Sequence, residues 1–298
     1  MKNKDPLLHL IIAVTILFSM LFSCVKNTDE FRLLVQKGKD LYKQSNYKEA
    51  VIFFKKAVKE AEKLFGKEHA AYAVTLNDIA ELYLRMGEYS RAEPIFKEAL
   101  SIRKKVLGEE HPEYAVTLNN LAGLYHSMKK YNKTEQLYRE ALRIQERSIG
   151  KDHHNYALCL NNLAVLYEDM GKYRKAEPLC KEALSITEKA VGKEHPDYII
   201  TLNNLAELYR LMKDYKKAET IYKEVLSKSE SAFGKKHHNY AVFSNNLALL
   251  YEGMGEYKKA EPLYKEALNT IGSLLGKNHP NYTLTLNNLE ELYRYMRE

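Results

Sequence analysis

The sequence predicts an all-α protein built as an α-solenoid, a stack of antiparallel helix pairs, and three observations carry that expectation. Gly66, Gly108, Gly150, Gly192, Gly234 and Gly276 recur at a fixed step of 42 residues, each followed three positions on by a histidine and six positions on by a tyrosine. Within a step, apolar residues fall at spacings of three and four, as in Leu118, Leu121, Ala122, Tyr125 and Met128, which is the period of an amphipathic helix. Glycine and proline then punctuate the pattern at fixed places, so each step holds two helices and a turn. A unit of this kind buries its apolar face only against its neighbours. The 298 residues therefore count repeats, and function is expected along the surface the stack creates rather than in a pocket.

Taken in order, the chain opens with Lys2 and Lys4, an apolar run at residues 7–23, and Cys24 ahead of a polar stretch, which has the form of an export signal. Leu21-Phe22-Ser23-Cys24 resembles the lipobox of bacterial lipoproteins, which implies cleavage before Cys24 and a diacylglycerol on its sulfur. Phe22 is bulkier than the small residue usual at that place. The alternative is an uncleaved helix, since the run reaches the lower end of the roughly 17 to 25 residues that span a bilayer. A cysteine at this boundary favours the lipoprotein. Both readings attach the protein to a membrane, and acyl chains contribute roughly 0.8 kcal/mol per buried methylene. Val25 is not the aspartate that retains lipoproteins in the inner membrane, so the resemblance implies a bacterial cell envelope location with the outer membrane favoured. Residues 1–23 are thus read as signal peptide or anchor, 24–30 as a short tether, and 31–298 as the array.

An irregular helix pair at about residues 29–65 opens the array. In the copies that follow, His-Pro at 111, 195 and 279 reads as a helix start, because proline in the first turn lacks only an N–H that has no intrahelical partner. Gly87, Gly171 and Gly255 stand between the two helices, suited to the left-handed residue that ends a helix. Pro94, Pro178 and Pro262 fall near the first turn of the second helix, where proline costs little. Six pairs are counted, then a lone first helix at about 280–296. Glu290 replaces the alanine found at 122, 164, 206 and 248, as befits a terminal cap with a polar outer face.

Leu118, Leu121-Ala122 and Tyr125, then Tyr138 and Ala141, with Ala92, Ala176, Ala218 and Ala260 at the further small position and Thr134 the exception, resemble the tetratricopeptide repeat pattern. The 42-residue length and the wording Thr-Leu-Asn-Asn-Leu-Ala, Ala-Glu-Pro-Leu and Gly-Lys-x-His-Pro resemble the kinesin light chain subtype. The resemblance covers residues 31–298 and implies a right-handed superhelical α-solenoid whose first helices line a concave, peptide-binding face. Small residues at 122 and 141 would let paired helices approach closely while tyrosine and leucine fill the grooves.

By that resemblance, peptide contacts match Asn119, Asn120, Gly123, His126 and Ser127. The asparagines recur as Asn77 and the pairs Asn119/Asn120, Asn161/Asn162, Asn203/Asn204, Asn245/Asn246 and Asn287/Asn288, with Asp78 the one substitution. An amide offers both donor and acceptor, so such a column suits the backbone of an extended peptide; alternatively, one amide of each pair bonds to the neighbouring repeat. The position of His126 reads Leu84, His126, Glu168, Arg210, Glu252, Arg294, which predicts a line of ion pairs along the face from Glu168 to Arg294. Copies opening at Gly150 and Gly234 share His-His-Asn-Tyr and a glycine turn, whereas those at Gly108 and Gly192 share His-Pro and a lysine turn. The longer period is 84 residues.

Composition excludes several classes. A formal charge of +7 invites nucleic acid, yet Lys and Glu are interleaved throughout, as on solvated helix faces. Of 23 tyrosines, 21 occupy four repeat positions, as at 114, 125, 131 and 138, and read as packing residues. Histidines 69, 111, 153, 195, 237 and 279 stand one per repeat, without the close pairing a metal site requires; a loop or capping role is expected, with His153-His154 and His237-His238 the exceptions. Cys159 and Cys180 sit at packing positions and read as buried thiols. No Walker loop, nucleophile elbow or HExxH occurs, and neither catalysis, cofactor nor metal is expected. The function expected is a membrane-anchored scaffold that binds an extended peptide or partner protein. The alternative is an assembly subunit of a secretion, pilus or envelope complex. A cytosolic cargo adaptor resembling kinesin light chain is opposed by the export signal and by the lack of an amino-terminal heptad pattern.

Overall fold

In a computed structural model of the chain, the described residues are 28–297 apart from 43, 45 and 278. The apolar segment 7–23 and Cys24 lie outside them. Among the described residues every regular element is a helix. From residue 47 on, second helices of 19 residues alternate with first helices of 16, and turns of four and three residues complete the 42-residue period. The helices are α1 (28–42), α2 (Tyr47–Phe65), α3 (Ala70–Arg85), α4 (Tyr89–Leu107), α5 (Pro112–Ser127), α6 (Tyr131–Ile149), α7 (His154–Asp169), α8 (Tyr173–Val191), α9 (Pro196–Leu211), α10 (Tyr215–Phe233), α11 (His238–Gly253), α12 (Tyr257–Leu275) and α13 (Pro280–Tyr295). None of these is long and apolar enough to cross a membrane. The chain divides into two compact units, one ending at Lys129 with α1–α5 and one beginning at Lys130 with α6–α13.

The histidines are the start signals. In each of α3, α5, α7, α9, α11 and α13 the preceding histidine is extended, and its Nδ1 accepts the backbone N–H two residues on, at 3.0–3.2 Å. That satisfies one of the donors a helix start leaves open. Pro112, Pro196 and Pro280 occupy the first turn, as expected. Pro94, Pro178 and Pro262 stand a turn later than expected, at the sixth residue of α4, α8 and α12, and the helices run through them. The turn after each first helix needs a left-handed residue. Gly87, Gly171 and Gly255 supply it in alternate copies, while Lys129 (φ 57°) and Lys213 (φ 62°) adopt it in the others, at a steric cost glycine avoids.

Packing follows the small-residue pattern. Ala206 on α9 and Ala218 on α10 are fully buried, which lets the pair close up. Tyr198, Ile199 and Leu202 of α9 then meet Val225 of α10 and Phe243 of α11. Each such large side chain contributes roughly 1.5–3 kcal/mol on burial. In the first unit the equivalent cluster is Ala61, Tyr72, Leu76 and Ala99, with Phe31 and Phe65 against it. Glu290, at the position of the buried alanines, is exposed on α13.

The tyrosines do more than pack. Tyr167, Tyr209, Tyr251 and Tyr293 on first helices each donate their hydroxyl to a glutamate 32 residues earlier, on the preceding second helix: Glu135, Glu177, Glu219 and Glu261, at 2.7–3.1 Å. Tyr125 and Glu93 do the same in the first unit at 2.9 Å. A basic residue one turn on grips the same carboxylate, as Lys181 does Glu177 at 2.7 Å, and these groups together hold Glu177 below its ordinary pKa. Buried positions facing the next repeat are individual. Ala61, Arg103, Gln145, Thr187, Ser229 and Ile271 occupy one repeat position and are all at most 2 % exposed. Arg103 on α4 donates to the Glu113 carbonyl and Thr117 hydroxyl of α5, both at 2.6 Å, and pairs with the Glu113 carboxylate at 2.9 Å.

Candidate binding face of the first helices

A first helix buries the faces that meet its own second helix and its neighbours, and leaves one stripe partly open. On α9 that stripe is Asp197, Ile200, Asn204, Glu207 and Leu211, the three- and four-residue spacing of one helix face. In the second unit α7, α9, α11 and α13 present these stripes side by side, each next to the following one.

The paired asparagines have distinct roles. In four copies the first of the pair is buried: Asn77, Asn161, Asn203 and Asn245 are 5–8 % exposed. Its Oδ1 accepts from Nδ2 of the second asparagine of the next repeat. Asn204 bonds to Asn161, Asn246 to Asn203 and Asn288 to Asn245, at 3.1–3.2 Å, and in the first unit Asn120 bonds to Asn77 at 3.1 Å. The amide column is therefore first a rung system between repeats, and the second asparagine, half-buried, is the member on the open stripe. Nothing in the rung uses its Oδ1. Asn119 and Asn162 are half-buried, and Asn287 is exposed on α13. Asp78 breaks the column: burial pushes its carboxyl up to about 6, and its Oδ2 has no hydrogen-bond partner.

The expected line of ion pairs does not form. Arg210 turns back one turn along α9 and grips Glu207 with both arms, Nε to Oε2 at 2.8 Å and Nη2 to Oε1 at 2.5 Å. Tyr222, rising fully buried from α10, donates to the same carboxylate at 2.5 Å. A bidentate partner three residues away on the same helix outcompetes carboxylates on neighbouring helices, because less side-chain freedom is lost. Glu252 instead accepts the Tyr264 hydroxyl at 2.7 Å. Arg294 is exposed on α13. Glu168 is left with a buried Oε2 that has no hydrogen-bond partner, and burial, then the Glu207 charge, pushes its carboxyl up to about 8. His126 lies half-buried at this position in the first unit.

One column escaped the sequence reading. Four residues before each second asparagine, or before Asp78 in its place, stand Val74 and Val116 in the first unit, and Leu158, Ile200, Val242 and Leu284 in the second. None is fully buried, and Ile200 and Leu284 are 38 % and 56 % exposed. The signal was an apolar residue on the polar side of the helical period. Elsewhere, Cys159 and Cys180 are buried free thiols, with burial pushing both up to about 12. No group of three or more His, Cys, Asp or Glu among the described residues is placed to hold a metal ion.

Helix pairs of fixed length, bonded rung by rung and leaving one first-helix stripe open, define a helical-repeat scaffold of the solenoid class. A family model for the tetratricopeptide repeat matches residues 29–105, 87–146, 113–189, 160–231, 201–271 and 239–298, and the chain belongs to that family. Its fold supports a protein–protein interaction scaffold. No curated protein matches the chain. Among solved structures, BtubC (BKLC) from P. vanneervenii is 23 % identical over 78 % of this chain and 94 % of its own, with a TM-score of 0.62. A Podosopora anserina protein with nearly identical TPR-like repeats of kinesin light chain type is 20 % identical over 70 % and 98 %, with a TM-score of 0.55. A Rap protein complexed with Competence and Sporulation Factor is 17 % identical over 89 % and 75 %, with a TM-score of 0.65. At these identities the likeness is one of fold.

Proposed function

We propose that the protein is a non-catalytic, membrane-anchored scaffold of the bacterial cell envelope that binds an extended segment of a partner protein along the first-helix face. The observation that carries this reading is the open stripe of α7, α9, α11 and α13, where Asn204, Asn246 and Asn288 stand in register, each half-buried with an Oδ1 that the rung does not use. A row of fixed amides binds the backbone of an extended chain whatever its side chains. The Rap structure, which holds Competence and Sporulation Factor on a related fold, supports the same use. A photo-crosslinking amino acid placed in cells at position 204 or 246 is expected to capture a partner protein, and one at Lys223, on the outer second helix, is not. Equal capture at all three positions would move the site elsewhere.

The anchor is a separate part of the proposal. Cys24 behind the apolar run 7–23 supports a lipid-modified amino terminus, held in the outer membrane. Labelling with a radioactive fatty acid should mark the wild-type protein and not Cys24→Ala; an unlabelled wild type would leave the membrane-spanning alternative.

A further inference from the structure

The first-helix face of the second unit carries its own charge and its own apolar row, and both point to one kind of partner. The chain as a whole is basic, at +7. On this face the sign reverses: Glu168, Asp197, Glu207, Glu252 and Glu291 stand against Arg210 and Arg294. Arg210 is already committed to Glu207, so it neutralises nothing that arrives. Glu207 is further satisfied by Tyr222, and Glu252 by Tyr264. Asp197 is held by His154 at 2.9 Å and Glu291 by the Tyr295 hydroxyl at 2.7 Å, so of these five carboxyls Glu168 alone keeps a buried oxygen without a hydrogen-bond partner, an arrangement that costs free energy until a partner reaches it. Beside the carboxylates runs the apolar row Leu158, Ile200, Val242 and Leu284, with Ile200 and Leu284 open to solvent.

Resting on the binding-face reading above, we infer that this face takes an extended polypeptide segment in which lysine or arginine side chains are interspersed with aliphatic ones. The cationic group goes to Glu168, whose carboxyl gives up its proton to solvent as the cation arrives, the aliphatic groups to the row headed by Ile200, and the backbone to Asn204, Asn246 and Asn288. Neighbouring packed helices lie about 8–10 Å apart, and an extended chain advances about 3.3 Å per residue. One aliphatic contact is therefore made about every third residue of the segment. An acidic segment is rejected, because it would set like charges against Glu252 and Glu291. Charge complementarity selects the partner, and the amide column sets its register.

The experiment is selection of short random peptides displayed on phage against the full chain, followed by fluorescence anisotropy with the enriched peptides. The expected consensus is basic, with aliphatic residues about three apart. Glu168→Gln, which keeps the side-chain shape, should weaken binding about tenfold, the loss expected for one charge-assisted hydrogen bond, and circular dichroism should match wild type. Ile200→Lys, at an exposed position, should abolish binding by repulsion. Enrichment of acidic or uncharged peptides that lose affinity on Asn204→Ala would overturn this inference while leaving the binding-face reading in place. Peptides indifferent to Asn204→Ala, Glu168→Gln and Ile200→Lys, or no enrichment, would overturn both.

Discussion

The amide rung between Asn203 and Asn246 offers a direct measure of what couples one repeat to the next. Asn203 is 8 % exposed, and its Oδ1 accepts from Asn246 Nδ2 at 3.1 Å. Asn203→Ala removes the acceptor and strands a half-buried donor that water reaches in part, a cost of about 1–2 kcal/mol. Asn246→Ala leaves the buried Oδ1 of Asn203 without its partner, at about the same cost. The double variant strands nothing, so the two losses should overlap by about 1 kcal/mol. The pair Asn203 and Asn288, which share no bond, is the control and should add within about 0.5 kcal/mol. Urea unfolding followed by far-ultraviolet circular dichroism supplies the free energies, fitted with a nearest-neighbour description because repeats unfold in contact with their neighbours. A coupling between Asn203 and Asn246 no larger than that of the control pair would refute the rung as an energetic link.

Four further outcomes follow from named groups. Lys213→Gly should stabilise by about 0.5–1 kcal/mol in urea, as relief of the left-handed backbone outweighs the greater freedom of glycine in the unfolded chain. Arg103→Ala should cost about 2–4 kcal/mol by the same assay, because it opens a cavity and strands the Thr117 hydroxyl and Glu113 carbonyl. Glu168, held up to about 8 chiefly by burial, is a carboxyl with a folded pKa above its unfolded value. Its contribution is present below the unfolded pKa and lost as pH rises through the folded one, so Glu168→Gln should raise the urea midpoint more at alkaline than at acid pH. Burial holds His237, His238 and His279 below the ordinary imidazole value, with His238 lowered further by the charges of His279 and His237. Their contribution is present above the unfolded pKa, about 6.5, and lost as pH falls through the folded values. His238→Gln should flatten the acid limb of stability against pH measured by urea midpoints, and an unchanged limb would count against the assignment.

Much of the fold was legible because the repeat states each instruction several times. The His-Pro starts, the turn glycines and the alanines at 122, 164, 206 and 248 all recur at one spacing, and local sterics alone give them meaning. The roles of the histidines as caps follow from the same logic. What the sequence could not convey was choice among partners. The alternation of Glu168, Arg210, Glu252 and Arg294 suggested pairing across repeats, but Glu207 lies three residues from Arg210 on the same helix and takes both arms of its guanidinium. Position along the repeat identified the asparagine column, yet only packing decides that Asn203 is buried and Asn204 open. The tyrosines read as packing residues because their glutamate partners lie 32 residues away, a spacing without meaning until the helices are stacked. The apolar row of Ile200 was passed over because the same residue types fill the core.

A chain of similar copies faces a hazard that ordinary domains avoid: a helix can dock on the wrong copy and close the array one repeat out of step. The buried position held by Ala61, Arg103, Gln145, Thr187, Ser229 and Ile271 works against this as a key that differs in every lock. Arg103 finds Glu113 and Thr117 in its own place. Slipped by one copy it would meet the matching residues Asn155 and Cys159, neither of which neutralises a buried guanidinium, at a cost of several kcal/mol. Slipped by two copies it would meet Asp197 and Thr201, which would accept it. The safeguard is thus aimed at the single-repeat error, and the 84-residue alternation sets the limit of its protection.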